Sequence, residues 1–228
     1  MRRSVPVIVE AAVESLDDAL AAVAGGADRL ELCANLDAGG TTPSAALITA
    51  VRERVEVPVV VMIRPRGGDF TYSDDELSRM YEDVAMARAL GASGVVFGVL
   101  DTFDRLDLER TAALVEAADG VPVTFHRAID QVARRVVAMD ALAALGVARV
   151  LSAGGGKTAS DGLDELRAMV ERAADRLVVV AGGGVRATNA RAIVERTGVA
   201  ELHARCGGDA ARIRGIVDAV NRTTAASG

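Results

Sequence analysis

Residues 58–70 read PVVVMIRPRGGDF. The run from Pro58 to Ile63 is apolar throughout, with no polar alternation. That is how a strand reads when both of its faces are covered in a parallel sheet. The run stops abruptly at Arg64, Pro65, Arg66, Gly67, Gly68 and Asp69. An unpaired buried guanidinium is costly, so arginines at the carboxyl end of such a strand need a partner. Arg64 and Arg66 are two apart, and on a continuing strand they share a face. With the two glycines they read as a receptor for an anion; the alternative is an exposed strand end carrying solvated charge.

Similar strand-like runs fall at 6–12, 28–33, 58–64, 94–100, 121–126, 148–153, 177–182 and 200–204. Between and after them lie Ala- and Leu-rich amphipathic stretches at 15–25, 44–55, 74–91, 107–119, 132–145, 161–175, 187–197 and 208–221. A pattern of glycine, small residue and strand recurs as GGADRLEL, GASGVVFG, GVARVLSA and GVAELHAR. Repetition of this kind is the signature of a repeated structural unit. Eight βα units in 228 residues predict an α/β protein, a single-domain (β/α)8 TIM barrel over 1–222 with a fraying tail at 223–228. A doubly wound open sheet is the alternative, with fewer strands and a clear switch point.

Hydrophobic residues make up 50% of the chain but aromatics only 3%, so Ala, Val and Leu must fill the interior. The net charge is −6 with no basic tract, which argues against a nucleic-acid partner. No apolar run is long enough to cross a bilayer, and the N-terminal residues do not read as a signal peptide. Two cysteines, Cys33 and Cys206, make no disulfide framework, and a cytoplasmic location is expected. An Ala-rich outer helix face suits either a homo-oligomer or a monomer surface.

In such barrels the chemistry sits at the carboxyl ends of the strands. Here those ends carry Glu10, Glu31, Cys33, Arg64, Arg66, Asp69, His126, Arg127, Asp130, Ser152 and His203. Both histidines of the chain are among them. Glu10 and Glu31 are the candidate acid/base pair, Arg64 and Arg66 the anion clamps, His126 the proton carrier and His203 a second polar contact. These six are the catalytic candidates; the same carboxylates and arginines would also suit a structural ion-pair layer. Asp130 suits either orientation of His126 or a helix cap. Anion binding is expected from Arg64, Arg66, Asp69, Arg127, Ser152 and the turn Gly182, Gly183, Gly184, where barrels often hold phosphate; those glycines equally suit a tight backbone turn alone. GGGKT at 154–158 lacks the P-loop spacing, because Leu151 stands where a glycine is required.

The segments ELC (31–33), GGTTPS (39–44), MIRPRGGDF (62–70), TFHRAID (124–130) and ELH (201–203) closely resemble the CutC family of copper homeostasis proteins. The resemblance runs from Glu10 to about Cys206. It implies a (β/α)8 barrel, a cytoplasmic location, and a role in copper tolerance with Cu(I) binding. Where the family shows Leu-Thr-Ser-Gly-Gly, this chain has Leu151-Ser152-Ala153-Gly154-Gly155. Cys33 is the matching cysteine for a metal, and Met62 is expected one layer below Arg64. Cys206 is expected roughly 10 Å from Cys33 by strand spacing. Two readings stand side by side. In one, a copper homeostasis protein binds Cu(I) through Cys33, since Cu(I) prefers sulfur. In the other, a TIM-barrel isomerase, lyase or hydrolase acts on a small anionic or phosphorylated substrate. A metal-dependent version through Glu10, Glu31, His126 and His203 is crowded by the arginines.

Overall fold

Strand and helix alternate eight times along residues 6–221, the part of the chain that this computed structural model describes. The strands are β1 (Ile8–Val13), β2 (Arg29–Leu32), β3 (Val59–Met62), β4 (Gly94–Phe97), β5 (Val123–Phe125), β6 (Arg149–Ser152), β7 (Val178–Ala181) and β8 (Glu201–Arg205). The helices are α1 (Leu16–Ala24), α2 (Ala45–Arg52), α3 (Asp74–Ala89), α4 (Leu108–Ala117), α5 (Arg135–Ala144), α6 (Leu163–Ala173), α7 (Ala190–Thr197) and α8 (Ala210–Asn221). All strands are parallel and follow one another in chain order, and β8 pairs back onto β1. This is the (β/α)8 TIM barrel, a closed ring and not an open sheet. The expected tail at 223–228 lies outside the described residues. Among the described residues no helix is long and apolar enough to cross a membrane.

Local chemistry sets the helix starts. Ser15, Ser44 and Asp107 accept from backbone N–H groups of the first turn, and Ser73 with Glu76 forms a reciprocal capping box. Each strand divides its side chains between two environments. Val9, Ala11, Leu30, Leu32, Val59, Val61, Val95 and Phe97 belong to the large core shared with the helices. The alternate positions point into the ring. There only Cys33, Val60, Met62 and Val96 form a small apolar cluster.

Ala12, Leu151 and Val180 are buried inside the ring as well, and one layer of the interior is ionic. In the strand register Glu10 lies opposite Arg29 on β2 and opposite His203 on β8. Arg29 donates to both Glu10 and Glu201, and Arg149 stands 3.5 Å from Glu201. Glu10, Arg29 and Glu201 are all buried. Two arginines and two glutamates form a neutral layer beneath the mouth, the only way to keep such charges away from water at tolerable cost.

Arg29→Met would leave two buried carboxylates without their shared partner. The expected loss is about 3–5 kcal/mol of unfolding free energy, measured by urea denaturation at pH 7. A loss below about 1 kcal/mol would show that the layer contributes little.

Candidate functional site

Pro65 decides where the two arginines go. It offers no N–H for a strand ladder and constrains the residue before it, so β3 ends at Met62. Arg64 and Arg66 therefore lie past the strand and do not share a face, which corrects the sequence expectation. Arg64 turns inward and is buried. Its guanidinium donates to the carbonyls of Ala38 and Gly40, at 3.2 Å each, and of Gly68 at 2.7 Å. Its Cζ lies 4.7 Å from the centre of the Phe70 ring. Among the described residues no carboxylate forms an ion pair with it, and its Nε has no partner. Arg66 turns outward instead, donates to Glu76 and Asp69, and lies over Tyr72.

His126 follows β5 and faces the same space. Its Nδ1 accepts from the backbone N–H of Ala128 at 3.3 Å, and its Nε2 is buried without a partner. The ring centre lies 4.9 Å from that of Phe70, which therefore stands against both Arg64 and His126. A side chain at Gly98 would collide with the imidazole: a Cβ there would come within 2.5 Å of Nδ1. Opposite stands a second group. His203 Nδ1 donates to Glu10 Oε1 at 2.8 Å, while His203 Nε2 lies 4.0 Å from Glu31 Oε1. Glu31 is buried, with Oε2 unpartnered. The Cys33 thiol donates to Glu31 Oε1 at 3.5 Å.

These groups line one cavity of about 540 Å³ at the carboxyl ends of the strands. Of the residues expected from sequence, Glu31, Arg64, His126, Arg127, Asp130 and His203 reach it. Glu10 lies behind His203 and acts on the cavity through it. Arg66 and Asp69 bond to each other outside it. Ser152 donates to Asp130, which also receives the N–H groups of Ala153 and Gly155 and the Nε of Arg127. Asp130 thus fills, with its own carboxylate, the loop position where an external anion was expected. It neither orients His126 nor caps the next helix. Gly183 lies against the Arg127 guanidinium, Gly182 against Leu151 and His203, and Gly184 against Thr158. Cys33 faces the inside of the ring and Cys206 the outer core; both are free and buried.

Burial and neighbouring charge set the protonation states. Burial alone would raise Glu10, but the His203 hydrogen bond and the Arg29 charge outweigh it and bring its pKa down to about 2. Burial pushes Glu31 up, and the Glu10 carboxylate adds to the effect. Burial would lower His203, yet the carboxylates of Glu31 and Glu10 raise it. Burial and the Arg64 charge lower His126 to about 3. His126 is therefore neutral near pH 7. With Nδ1 accepting from Ala128, its proton sits on Nε2, which is buried without a partner. Burial and the Glu31 carboxylate push the Cys33 thiol well up, so it stays protonated.

Sequence reasoning missed Arg29, Arg149, Glu201 and Phe70. A signal existed for the first three. Each shares parity with an inward residue on its own strand: Arg29 with Glu31, Arg149 with Leu151, and Glu201 with His203.

The CutC family profile matches residues 7–208. The copper homeostasis protein cutC homolog of Homo sapiens is 43% identical over 196 residues, covering 86% of this chain and 72% of that protein. A family protein CutC of Xylella fastidiosa is 45% identical over 196 residues, covering 86% and 73%. The crystal structure of the putative copper homeostasis protein CutC from Streptococcus agalactiae superposes with a TM-score of 0.84 at 35% identity, covering 91% of this chain and 99% of that one.

The state of His126 predicts a pH dependence. Its pKa is about 3 in the fold, and the ordinary value of 6.5 applies to the unfolded chain. Below pH 6.5 the unfolded chain takes up a proton that the native state refuses, so stability falls. The loss is about 1.4 kcal/mol per pH unit between 6.5 and 4.5. His126→Gln lacks this loss. Its stability deficit relative to the natural chain is expected to shrink across that window in urea titrations. A constant deficit would show that His126 ionises freely in the fold.

Proposed function

The chain belongs to the CutC family, and on that premise we propose that it serves copper homeostasis through an acid–base active site at the barrel mouth. The substrate is a small carboxylated or phosphorylated molecule. One observation carries this reading: Arg64 is a buried guanidinium with which, among the described residues, no carboxylate forms an ion pair, on a cavity also lined by His126, whose Nε2 has no partner. Backbone carbonyls satisfy its geometry but not its charge, and an anion would satisfy both.

The proposed mechanism assigns each group a task. The Nε–H of Arg64 and the Nε2–H of His126 hold an oxygen of the substrate and stabilise negative charge that develops on it. A neutral imidazole with a fixed N–H suits this role better than the proton carrying expected from sequence. Glu31 moves the proton. Its raised pKa favours the protonated form, so it can hold a proton for transfer, and one of its oxygens has no partner. His203, fixed by Glu10, balances the charge on Glu31 as the proton moves. This set suits isomerisation or elimination by proton transfer next to a carbonyl or carboxylate.

Direct Cu(I) binding is the second reading. It rests on the approach of two sulfur-bearing side chains: a Cβ on Gly40 would lie 3.3 Å from Cys33 Sγ and 3.4 Å from Met62 Cε. Thiolate and thioether suit Cu(I). Against it stand the raised pKa of the Cys33 thiol and the Arg64 guanidinium bonded to Gly40. The Glu10, Glu31 and His203 cluster suits a harder cation, but Arg29 and His203 already engage both oxygens of Glu10. The same proposal includes a cytoplasmic location, consistent with two free thiols.

A thermal-shift panel of small phosphates and carboxylates, run beside a Cu(I) titration against a competing chelator, separates the readings. The expected result is stabilisation by at least one anion, lost in His126→Gln but kept in Glu31→Gln, with Cu(I) affinity unchanged in Cys33→Ser. No stabilisation by any anion, with tight Cu(I) binding that Cys33→Ser abolishes, would overturn the active-site reading. Arg64→Ala is unsuitable as a test, because Arg64 also holds two loops together.

A further inference from the structure

Beside the mouth lies a second cavity, of about 590 Å³, between the loop that leads into α4 and the start of α5. These two helices are the most loosely packed neighbours in the outer ring. The gap between them is lined by Phe103, Leu106, Leu108, Val132, Val137 and Ala141, with Asp104, Arg105 and Arg134 also on its walls. Phe103 is 72% exposed, and Leu108 and Val137 are 46% exposed each. Three of the four large hydrophobic side chains that the described residues expose thus fall on one groove. Scattered exposed apolar residues need no explanation, but a cluster on a concave surface does.

The groove is rigidly made. Asp101 Oδ1 accepts from the backbone N–H groups of Phe103 and Arg105, at 2.8 and 2.9 Å, and Asp101 Oδ2 accepts from Arg105 Nε at 3.1 Å. Asp104 takes a left-handed φ of 55° to close the turn. The Arg105 guanidinium lies over the Phe103 ring at 4.8 Å. In a chain with only four phenylalanines, one is pinned in solvent.

The groove is also joined to the barrel mouth. Gln131 lines both cavities. Leu100 N–H donates to the Phe70 carbonyl, and the Thr71 hydroxyl donates to the Asp101 carbonyl. The loop that presents Phe103 is therefore tied to the loop that places Phe70 against Arg64 and His126. The size of the groove suits part of a small molecule. Three exposed side chains fall well short of the roughly 800 Å² per partner that a stable protein interface buries.

We propose that this groove is the tail subsite of the barrel-mouth site, so that the ligand is an amphipathic anion. Its carboxylate or phosphate head lies at Arg64 and His126, and its hydrocarbon chain passes Gln131 to lie against Phe103, Leu108 and Val137. This rests on the anion-binding reading of the mouth and adds the class of substrate to it.

Calorimetric titrations with ethyl and decyl phosphate, and with butanoate and decanoate, test the proposal on the full chain. In the natural protein the long member of a pair is expected to bind at least tenfold tighter than the short one. Phe103→Ser and Val137→Asp, both at exposed positions, are expected to abolish that preference while the short ligand binds as before. His126→Gln is expected to weaken short and long ligands alike. The phosphate and carboxylate arms identify the head group. An unchanged chain-length preference in both groove variants overturns the tail subsite and leaves the mouth reading standing. A dimer in sedimentation that Val137→Asp converts to monomer also overturns it, by giving the groove to a second copy. Failure of every short anion to bind overturns the mouth reading itself, and the tail proposal with it.

Discussion

A charge inside a ring of strands has nowhere to be solvated, and the pairing of Glu10 with Arg29 and His203 meets that constraint. The pairing organises the whole mouth. Arg29 holds Glu10 ionised, Glu10 fixes the His203 ring, and His203 faces Glu31 across 4.0 Å. The floor of Arg29, Arg149, Glu10 and Glu201 balances two positive charges with two negative ones. The half above it does not, because among the described residues no carboxylate forms an ion pair with the buried Arg64. The protein therefore separates a stable ionic floor from a deliberately unbalanced mouth. An unbalanced buried charge is tolerated where a ligand completes it.

Much of the fold was legible because parallel strands covered on both faces carry continuous apolar runs, such as Val59–Met62 and Val178–Ala181. Helix starts were legible because Ser15, Ser44, Ser73 and Asp107 stand at them. The convergence of Glu31, Arg64, His126 and His203 followed from the barrel alone, since its strand ends share one rim.

What was not legible depends on contacts distant in sequence or on burial. Arg29 and Glu201 are 172 positions apart, and only barrel closure brings them together. Asp130 reads locally as a cap, but besides Arg127 its donors come from the end of β6 and the loop after it. Parity placed Arg66 beside Arg64, and Pro65 broke the strand on which parity holds. His126 reads as a proton carrier until its burial and the nearby Arg64 charge are known.

The most direct measurement of the central claim uses the two histidines of the chain. Imidazole ¹⁵N shifts, followed from pH 4 to pH 9, report the protonation and tautomer of each ring. His126 is expected to stay neutral with its proton on Nε2 down to about pH 4, while His203 takes up its second proton above pH 6.5. Two rings that titrate together near 6.5 would show solvated side chains, and would contradict the paired and unpaired charges on which the site depends.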